Sequence, residues 1–256
     1  MSDLTGKIAL VTGATSGIGR ATAIALAARG ADVVISGRNA GRGAEVVEKI
    51  EADGGTARFV AADLAVEDDV RRLAEQVGAV DILVNSAGAG AFGPSAGFTT
   101  EQYNTLFDSN VRAIFLLTAA LAPKMAGRGG GSVINVSSGS AVLGDENNAI
   151  YVATKGAVNA ITRAFAAEYG PSGVRVNAVS PGPTYTSAPA IWLDRYIDLI
   201  PLRRVGRPED VAEVIAFLAG PGGSYVNAAV IPVDGGLTAV EPPKPPARTE
   251  NWIQQS

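Results

Sequence analysis

A chain of 256 residues, 47% apolar and carrying a net charge of −4 with no basic block, suits one or two α/β domains and argues against nucleic acid as the main partner. The absence of both cysteine and histidine excludes disulfides and thiol redox chemistry and removes nearly all zinc, copper and iron–sulfur sites; no Asp/Glu cluster suggests Mg²⁺ either, so no metal is expected. The start, MSDLTGKIALVTG, lacks the basic region and apolar core of a signal peptide, and no apolar run approaches the roughly 20 residues needed to span a bilayer. A cytoplasmic protein without a membrane partner is expected.

Short Val/Ile-rich runs alternate with helical patterns along the chain. The strand 8–12 (IALVT) runs into Thr12-Gly13-Ala14-Thr15-Ser16-Gly17-Ile18-Gly19 and a helix over 17–29. Three glycines at such a turn allow a tight bend, close approach of backbone to ligand and close packing of helix on sheet, and the helix N-terminus offers N–H groups to a pyrophosphate. The spacing is G-x-x-x-G-x-G rather than the commoner G-x-G-x-x-G, and a purely structural turn is the alternative reading. The strand 32–36 (DVVIS) leads into Gly37-Arg38-Asn39 with no carboxylate at its end, where the 2′ position of an adenosine ribose is read. Asp32 starts that strand and lies at the wrong edge. Arg38 presents a fork of donors suited to a 2′-phosphate, which predicts NADP(H) over NAD(H); an Arg38 stacked on adenine or turned to solvent would leave NAD(H) acceptable.

A helix over 40–53, a strand over 57–62 and a helix over 66–77 follow, then a strand over 81–85, a helix over 101–127 and a strand over 132–136. The helix 150–169 carries Tyr151 and Lys155 four residues apart, hence on one face. A free tyrosine titrates near pH ~10. A nearby ammonium favours tyrosinate, so the pair is expected to supply an acid and base nearer neutrality in a chain that lacks histidine. A strand over 174–179, a helix over 208–219 and a strand over 229–233 complete the series. Strands apolar on both faces alternating with helices indicate a single doubly wound Rossmann-type α/β domain, with a seven-stranded, mostly parallel sheet and helices on both faces. The expected domain covers 1–240, with a lid at about 185–205 bearing Trp192, Tyr196, Ile197 and Leu199, followed by a proline-rich tail over 241–256.

From residue 5 to 237 the chain resembles the compact single-domain branch of the short-chain dehydrogenases/reductases. The resemblance rests on Thr12 to Gly19, on Asn85-Ser86-Ala87-Gly88, on Asn110 in SNVRA and on Ser138 in INVSSGSA. Tyr151 and Lys155 as Y-x-x-x-K, and the stretch from Asn177 to Thr186, complete it. It implies an enzyme that interconverts a ketone and a secondary alcohol with NADP(H), with NAD(H) possible. Ser138 would hold the carbonyl oxygen, Tyr151 would act as acid/base, Lys155 would also bind the nicotinamide ribose, and Asn110 would position a water in a proton relay. Ser137 is the neighbouring decoy, since adjacent strand residues face opposite sides.

The dinucleotide would contact Gly13, Thr15, Ser16, Gly17, Ile18, Gly19, Arg38, Asp63, Leu64, Asn85, Ala87, Gly88, Tyr151, Lys155, Pro181, Gly182, Thr184 and Thr186. A 3-oxoacyl thioester reductase is one candidate, beside reductases of free ketones, sugars or polyketides. A dinucleotide-binding regulator without turnover, an NAD-preferring alcohol dehydrogenase of the same fold, and a lyase or epimerase are the other readings. Ala228 stands where the family often has glycine. The resemblance also implies a homotetramer, and Phe107, Ile114, Leu117, Ala160, Phe165 and Ala166 read as apolar surface that subunit pairing would cover; Trp252 and Ile253 would either dock on a neighbour or belong to a disordered tail.

Overall fold

In the computed structural model, which describes residues 4–186 and 190–241, seven strands form one sheet in the order β3-β2-β1-β4-β5-β6-β7. The strands are β1 (Ile8–Thr12), β2 (Asp32–Gly37), β3 (Thr56–Ala61), β4 (Ile82–Asn85), β5 (Gly131–Val136), β6 (Val174–Pro181) and β7 (Val230–Val233). Every neighbouring pair is parallel. The expected fold is present, with parallel pairing throughout.

Alternation along the strands accounts for the two-sided core. Ala9, Val11, Val33, Ile35, Ile82, Val84, Ile134 and Val136 point to one face, where they pack with residues of α1 (Gly17–Ala27), α2 (Ala40–Ala52) and α8 (Pro208–Ala219). Leu10, Val34, Leu83 and Val133 point to the other, against α3 (Glu67–Val77), α5 (Ala113–Ala126) and α6 (Ala149–Tyr169). Side-chain period 2 with both faces covered leaves no room for polar alternation, hence the continuous apolar runs. The strand order reverses between β1 and β4, and the helices that follow the two strands, α1 and α5, lie on opposite faces of the sheet, the arrangement at whose carboxyl edge open α/β sheets hold ligands.

The predicted helix 101–127 is three pieces. α4 (Thr100–Phe107) carries a capping box from Thr99 and Gln102, a π turn spans Asp108–Arg112, and α5 continues from Ala113. By length and composition Thr100–Ala126 could cross a bilayer, but Leu106, Ile114, Leu117, Leu121 and Met125 are buried within the fold. The surface expected on these helices needs correction for the same reason. Ile114, Leu117, Phe165 and Ala166 are buried inside the chain and Phe107 is half-buried, leaving Ala160 exposed; the large apolar side chains exposed on these helices are Tyr103 and Phe115, and Phe217 on α8 and Tyr225 are exposed elsewhere. The period of a helix identifies apolar residues but not which of them the chain itself covers.

α7 (Ala190–Asp194) is a short helix inside the segment expected as a lid. Residues 187–189 lie outside the described residues, as does the tail beyond Glu241 with Trp252 and Ile253. Ala228 has a φ of 61°, in the left-handed region that a glycine occupies without strain.

Candidate active site

Three parallel strands deliver the site. β1 ends at Thr12, whose Oγ1 accepts hydrogen bonds from the backbone N–H of Ser86 (3.1 Å) and Ala87 (3.2 Å), tying the loop after β4 to the glycine turn. Gly13, with φ 63°, sits so close to this loop that a Cβ on it would lie 2.7 Å from Ala87 Cα. A Cβ on Gly19 would strike the Gly13 carbonyl, so the third glycine lets α1 approach the strand end.

The first half of the cleft, about 350 Å³, is lined by Gly13, Thr15, Ser16, Gly17, Ile18, Gly19, Arg38, Asp63, Leu64, Ala87, Gly88 and Thr186. It also contains Arg42, which the sequence reading missed. Arg42 follows Arg38 by four residues at the start of α2, and its backbone N–H caps onto Asn39 Oδ1 at 2.9 Å. Neither guanidinium makes a hydrogen bond or ion pair among the described residues. The i, i+4 spacing of two arginines after a strand end was the signal available.

The second half, about 540 Å³, shares Ile18, Ser86, Gly88, Ala89, Val136 and Thr186 with the first, so the two halves form one cleft. Its wall contains Ser138, Tyr151, Lys155, Pro181, Gly182 and Thr184, together with Phe92, Leu143, Leu193, Tyr196 and Leu199. Ser138, Tyr151 and Lys155 therefore converge as expected. Ser137, the decoy, is buried, and its hydroxyl donates to the Lys155 carbonyl at 3.3 Å.

Lys155 is 4% exposed; its Nζ donates to the Val136 carbonyl at 2.9 Å and lies 5.6 Å from the centre of the Tyr151 ring. Burial pulls its pKa down to about 8. Tyr151 departs from expectation in sign. Its pKa is raised above the ordinary phenol value, chiefly by burial, with the Ser138 hydroxyl pulling it down and the Asp145 charge pushing it up. Both groups lose water, and each charged form is disfavoured for it.

Asn110 is fully buried, and its amide is committed to the protein: Oδ1 accepts from Ala89 N (2.7 Å), while Nδ2 donates to Ala89 O (2.8 Å) and to Thr154 Oγ1 (3.1 Å). Thr154 in turn donates to the Tyr151 carbonyl at 2.7 Å. Asn110 thus joins the loop after β4 to the helix that carries Tyr151, and its side chain has no free donor or acceptor for a water relay.

Asn85 also needs correction. It is buried in the sheet and does not line the cleft. Its Nδ2 donates to Asn135 Oδ1 at 2.8 Å, and Asn135 Nδ2 donates to Thr162 Oγ1 at 2.9 Å. This polar chain sits between neighbouring strands in register, Asn85 opposite Asn135. Strand pairing, which the motif spacing does not encode, explains the difference.

The residues present fit a dinucleotide. Ser16 occupies the N-cap of α1 yet makes no side-chain capping bond, and the first helical N–H groups have no intrahelical partner. Lys155 spends one donor on Val136 and has two more in a buried position on the cleft wall. Gly88 keeps open the space beside that ammonium, since a Cβ there would lie 3.5 Å from Nζ.

A family model described as Enoyl-(Acyl carrier protein) reductase matches residues 13–238. An uncharacterized oxidoreductase of Methylorubrum extorquens is 42% identical over 249 residues, covering 93% of this chain and 100% of its own. A Beutenbergia cavernae protein assigned as an NAD(P)-dependent gluconate 5-dehydrogenase, crystallised with NADP, superposes with a TM-score of 0.89 at 36% identity, over 93% of this chain and 99% of its own. A 7α-hydroxysteroid dehydrogenase solved with NADH and 7-oxo glycochenodeoxycholic acid superposes with a TM-score of 0.87 at 34% identity, over 91% and 95%.

Proposed function

Because the chain belongs to the short-chain dehydrogenase/reductase family and is an NAD(P)-dependent oxidoreductase of the CH–OH/carbonyl class, we propose that it interconverts a ketone and a secondary alcohol with NADP(H), using Ser138, Tyr151 and Lys155. The observation that carries this reading is the meeting of a buried ammonium, a half-buried phenol and a serine hydroxyl on the wall of one cleft.

The bound nicotinamide supplies the hydride. Ser138 donates a hydrogen bond to the carbonyl oxygen and fixes its direction. Tyr151 gives its phenolic proton to that oxygen as negative charge develops there. A raised pKa keeps the phenol protonated across the neutral range, which favours the reductive direction. Once the proton has left, the Lys155 ammonium stabilises the tyrosinate by its charge, and its spare donors hold the ribose hydroxyls. Asn110 acts as a positioning residue that holds the Ala89 loop against α6.

Arg38 and Arg42 on the wall of the adenosine half, neither paired among the described residues, support NADP(H) as the preferred cofactor, with NAD(H) the alternative. Asp63 and Leu64 would flank the adenine, and Pro181, Gly182, Thr184 and Thr186 the nicotinamide. The 185–205 segment, from which Leu193, Tyr196 and Leu199 line the cleft, serves as the lid in this reading. A 3-oxoacyl thioester reductase is one substrate option, supported by likeness to a 3-oxoacyl-[acyl-carrier-protein] reductase of Synechocystis that is 37% identical over 244 residues. A homotetramer and a cytoplasmic setting belong to the same reading; the exposed Tyr103, Phe115, Phe217 and Tyr225 support subunit pairing.

Nicotinamide absorbance with a panel of ketones and secondary alcohols tests the proposal. Oxidation of NADPH by at least one ketone is expected. A protein that binds NADPH but turns over none of the panel would be a regulator instead.

A further inference from the structure

We infer that Asp145 selects the substrate by accepting a hydrogen bond from a hydroxyl that the substrate carries away from its carbonyl, so that the preferred substrate is an otherwise apolar ketone bearing a hydroxyl. This rests on the oxidoreductase reading above and deepens it.

Asp145 lies on the loop between the short turn Gly139–Ala141 and α6, and it lines the same half of the cleft as Ser138 and Tyr151. One of its oxygens is occupied: Oδ2 accepts from Asn148 Nδ2 at 2.7 Å and, more weakly, from Ser140 Oγ at 3.4 Å. Oδ1 has no hydrogen bond, and no lysine or arginine pairs with the carboxylate among the described residues.

Behind it, Asn148 is 1% exposed. The bond from Nδ2 to Asp145 fixes the amide orientation and leaves Asn148 Oδ1 without a partner. This corner thus has acceptors in excess of donors. A ligand group placed there must donate, and a carboxylate or phosphate is repelled.

The rest of the wall chooses between donors. Phe92, Leu143, Leu193, Tyr196 and Leu199 surround the space. A substrate ammonium would be stripped of water against them, whereas a neutral hydroxyl loses far less on transfer. Ser140 sets the spacing. Its N–H donates to Ser138 Oγ at 3.2 Å and its hydroxyl reaches Asp145, so the acceptor corner adjoins the serine that faces the reacting carbonyl.

The test compares cyclohexanone, 4-hydroxycyclohexanone and 4-oxocyclohexanecarboxylate as substrates with NADPH, in the native protein, Asp145→Asn and Asp145→Ala. The native protein is expected to favour the hydroxy ketone over cyclohexanone in kcat/KM by about tenfold or more, as suits a hydrogen bond to a charged acceptor, and to favour the carboxylate least. Asp145→Ala should bring the hydroxy-to-parent ratio near one. The isosteric Asp145→Asn, which keeps the loop's shape, should raise the carboxylate relative to cyclohexanone. Calorimetry of trans-1,4-cyclohexanediol against cyclohexanol, on the protein with NADP⁺, reads the same ratio without turnover. Tighter diol binding that Asp145→Ala abolishes supports the inference even where no ketone is reduced, a result that would sink the oxidoreductase reading alone. Equal treatment of the paired ligands by the native protein, or a ratio unchanged in Asp145→Ala, overturns it.

Discussion

Lys155 holds its ammonium 5.6 Å from the centre of the Tyr151 ring while donating at 2.9 Å to the carbonyl of Val136, the last residue of β5. The sheet thereby aims a buried charge at a phenol carried on the same helix. Because that charge is buried, it costs stability at neutral pH.

Replacing the lysine should expose this cost. Lys155→Met is expected to abolish turnover and weaken NADPH binding, yet raise the melting temperature of the cofactor-free protein at pH 7. The folded pKa of about 8 lies below the reference value of 10.5, so the unfolded chain binds more protons between those limits and native stability rises with pH across that window. The advantage of the variant, up to ~3 kcal/mol less the loss of the Val136 bond, should therefore be full below pH 8 and fade toward pH 10.5. Thermal melts at pH 7 and pH 10 measure it; a variant less stable at both would refute the argument.

Tyr151→Phe removes one hydroxyl and keeps the ring. Turnover should fall on the order of 10²–10⁴-fold with NADPH affinity nearly intact. Retention of more than about a tenth of native kcat would mean that the phenol is not the acid.

The charge of Asp145 is one of the influences that raise the Tyr151 pKa. Alcohol oxidation needs tyrosinate and rises with pH through that pKa. In Asp145→Asn the rising limb should move to lower pH. A limb that stays in place or moves up contradicts the assignment.

Arg38→Ala and Arg42→Ala should each lower kcat/KM with NADPH by roughly tenfold, with smaller effects on NADH, because charge-assisted bonds to a phosphate are lost. Equal losses with the two cofactors would show that the arginines do not read the 2′ position.

Ala228 adopts φ 61°, a conformation that costs a Cβ-bearing residue about 1–2 kcal/mol. Its N–H donates to the Val176 carbonyl at 3.0 Å, which fixes the backbone. Ala228→Gly should stabilise the protein by about 1 kcal/mol, or ~2–4 °C in Tm. No gain on melting would imply that the left-handed conformation is not strained here.

Much of this was legible because it is local. Val/Ile runs, three glycines at a strand end and a Tyr–Lys pair at helical spacing each declare themselves within a few residues. What escaped depends on partners far along the chain. Asn85 turns into the sheet because Asn135 stands opposite it on β5. The long helix is interrupted by a π turn at Asn110, whose amide engages Ala89 and Thr154. The sign of the Tyr151 shift follows from burial, which spacing does not report. Asp145 and Asn148 lie in an aperiodic loop with no motif to flag them.

The bond from Thr12 to the loop after β4 has a kinetic consequence. It joins residues 74 and 75 positions apart, across the one place where the sheet order reverses. Contacts of such separation close a long loop and form late in folding. The dinucleotide cleft sits on that seam, so it comes into being when the two halves of the sheet dock, not within either half. A ligand seated there binds the docked arrangement and not the parted one, so it acts as a clasp on the last step of assembly. Resistance to proteolysis should accordingly rise with dinucleotide concentration, and the cuts it suppresses should fall between β3 and β4.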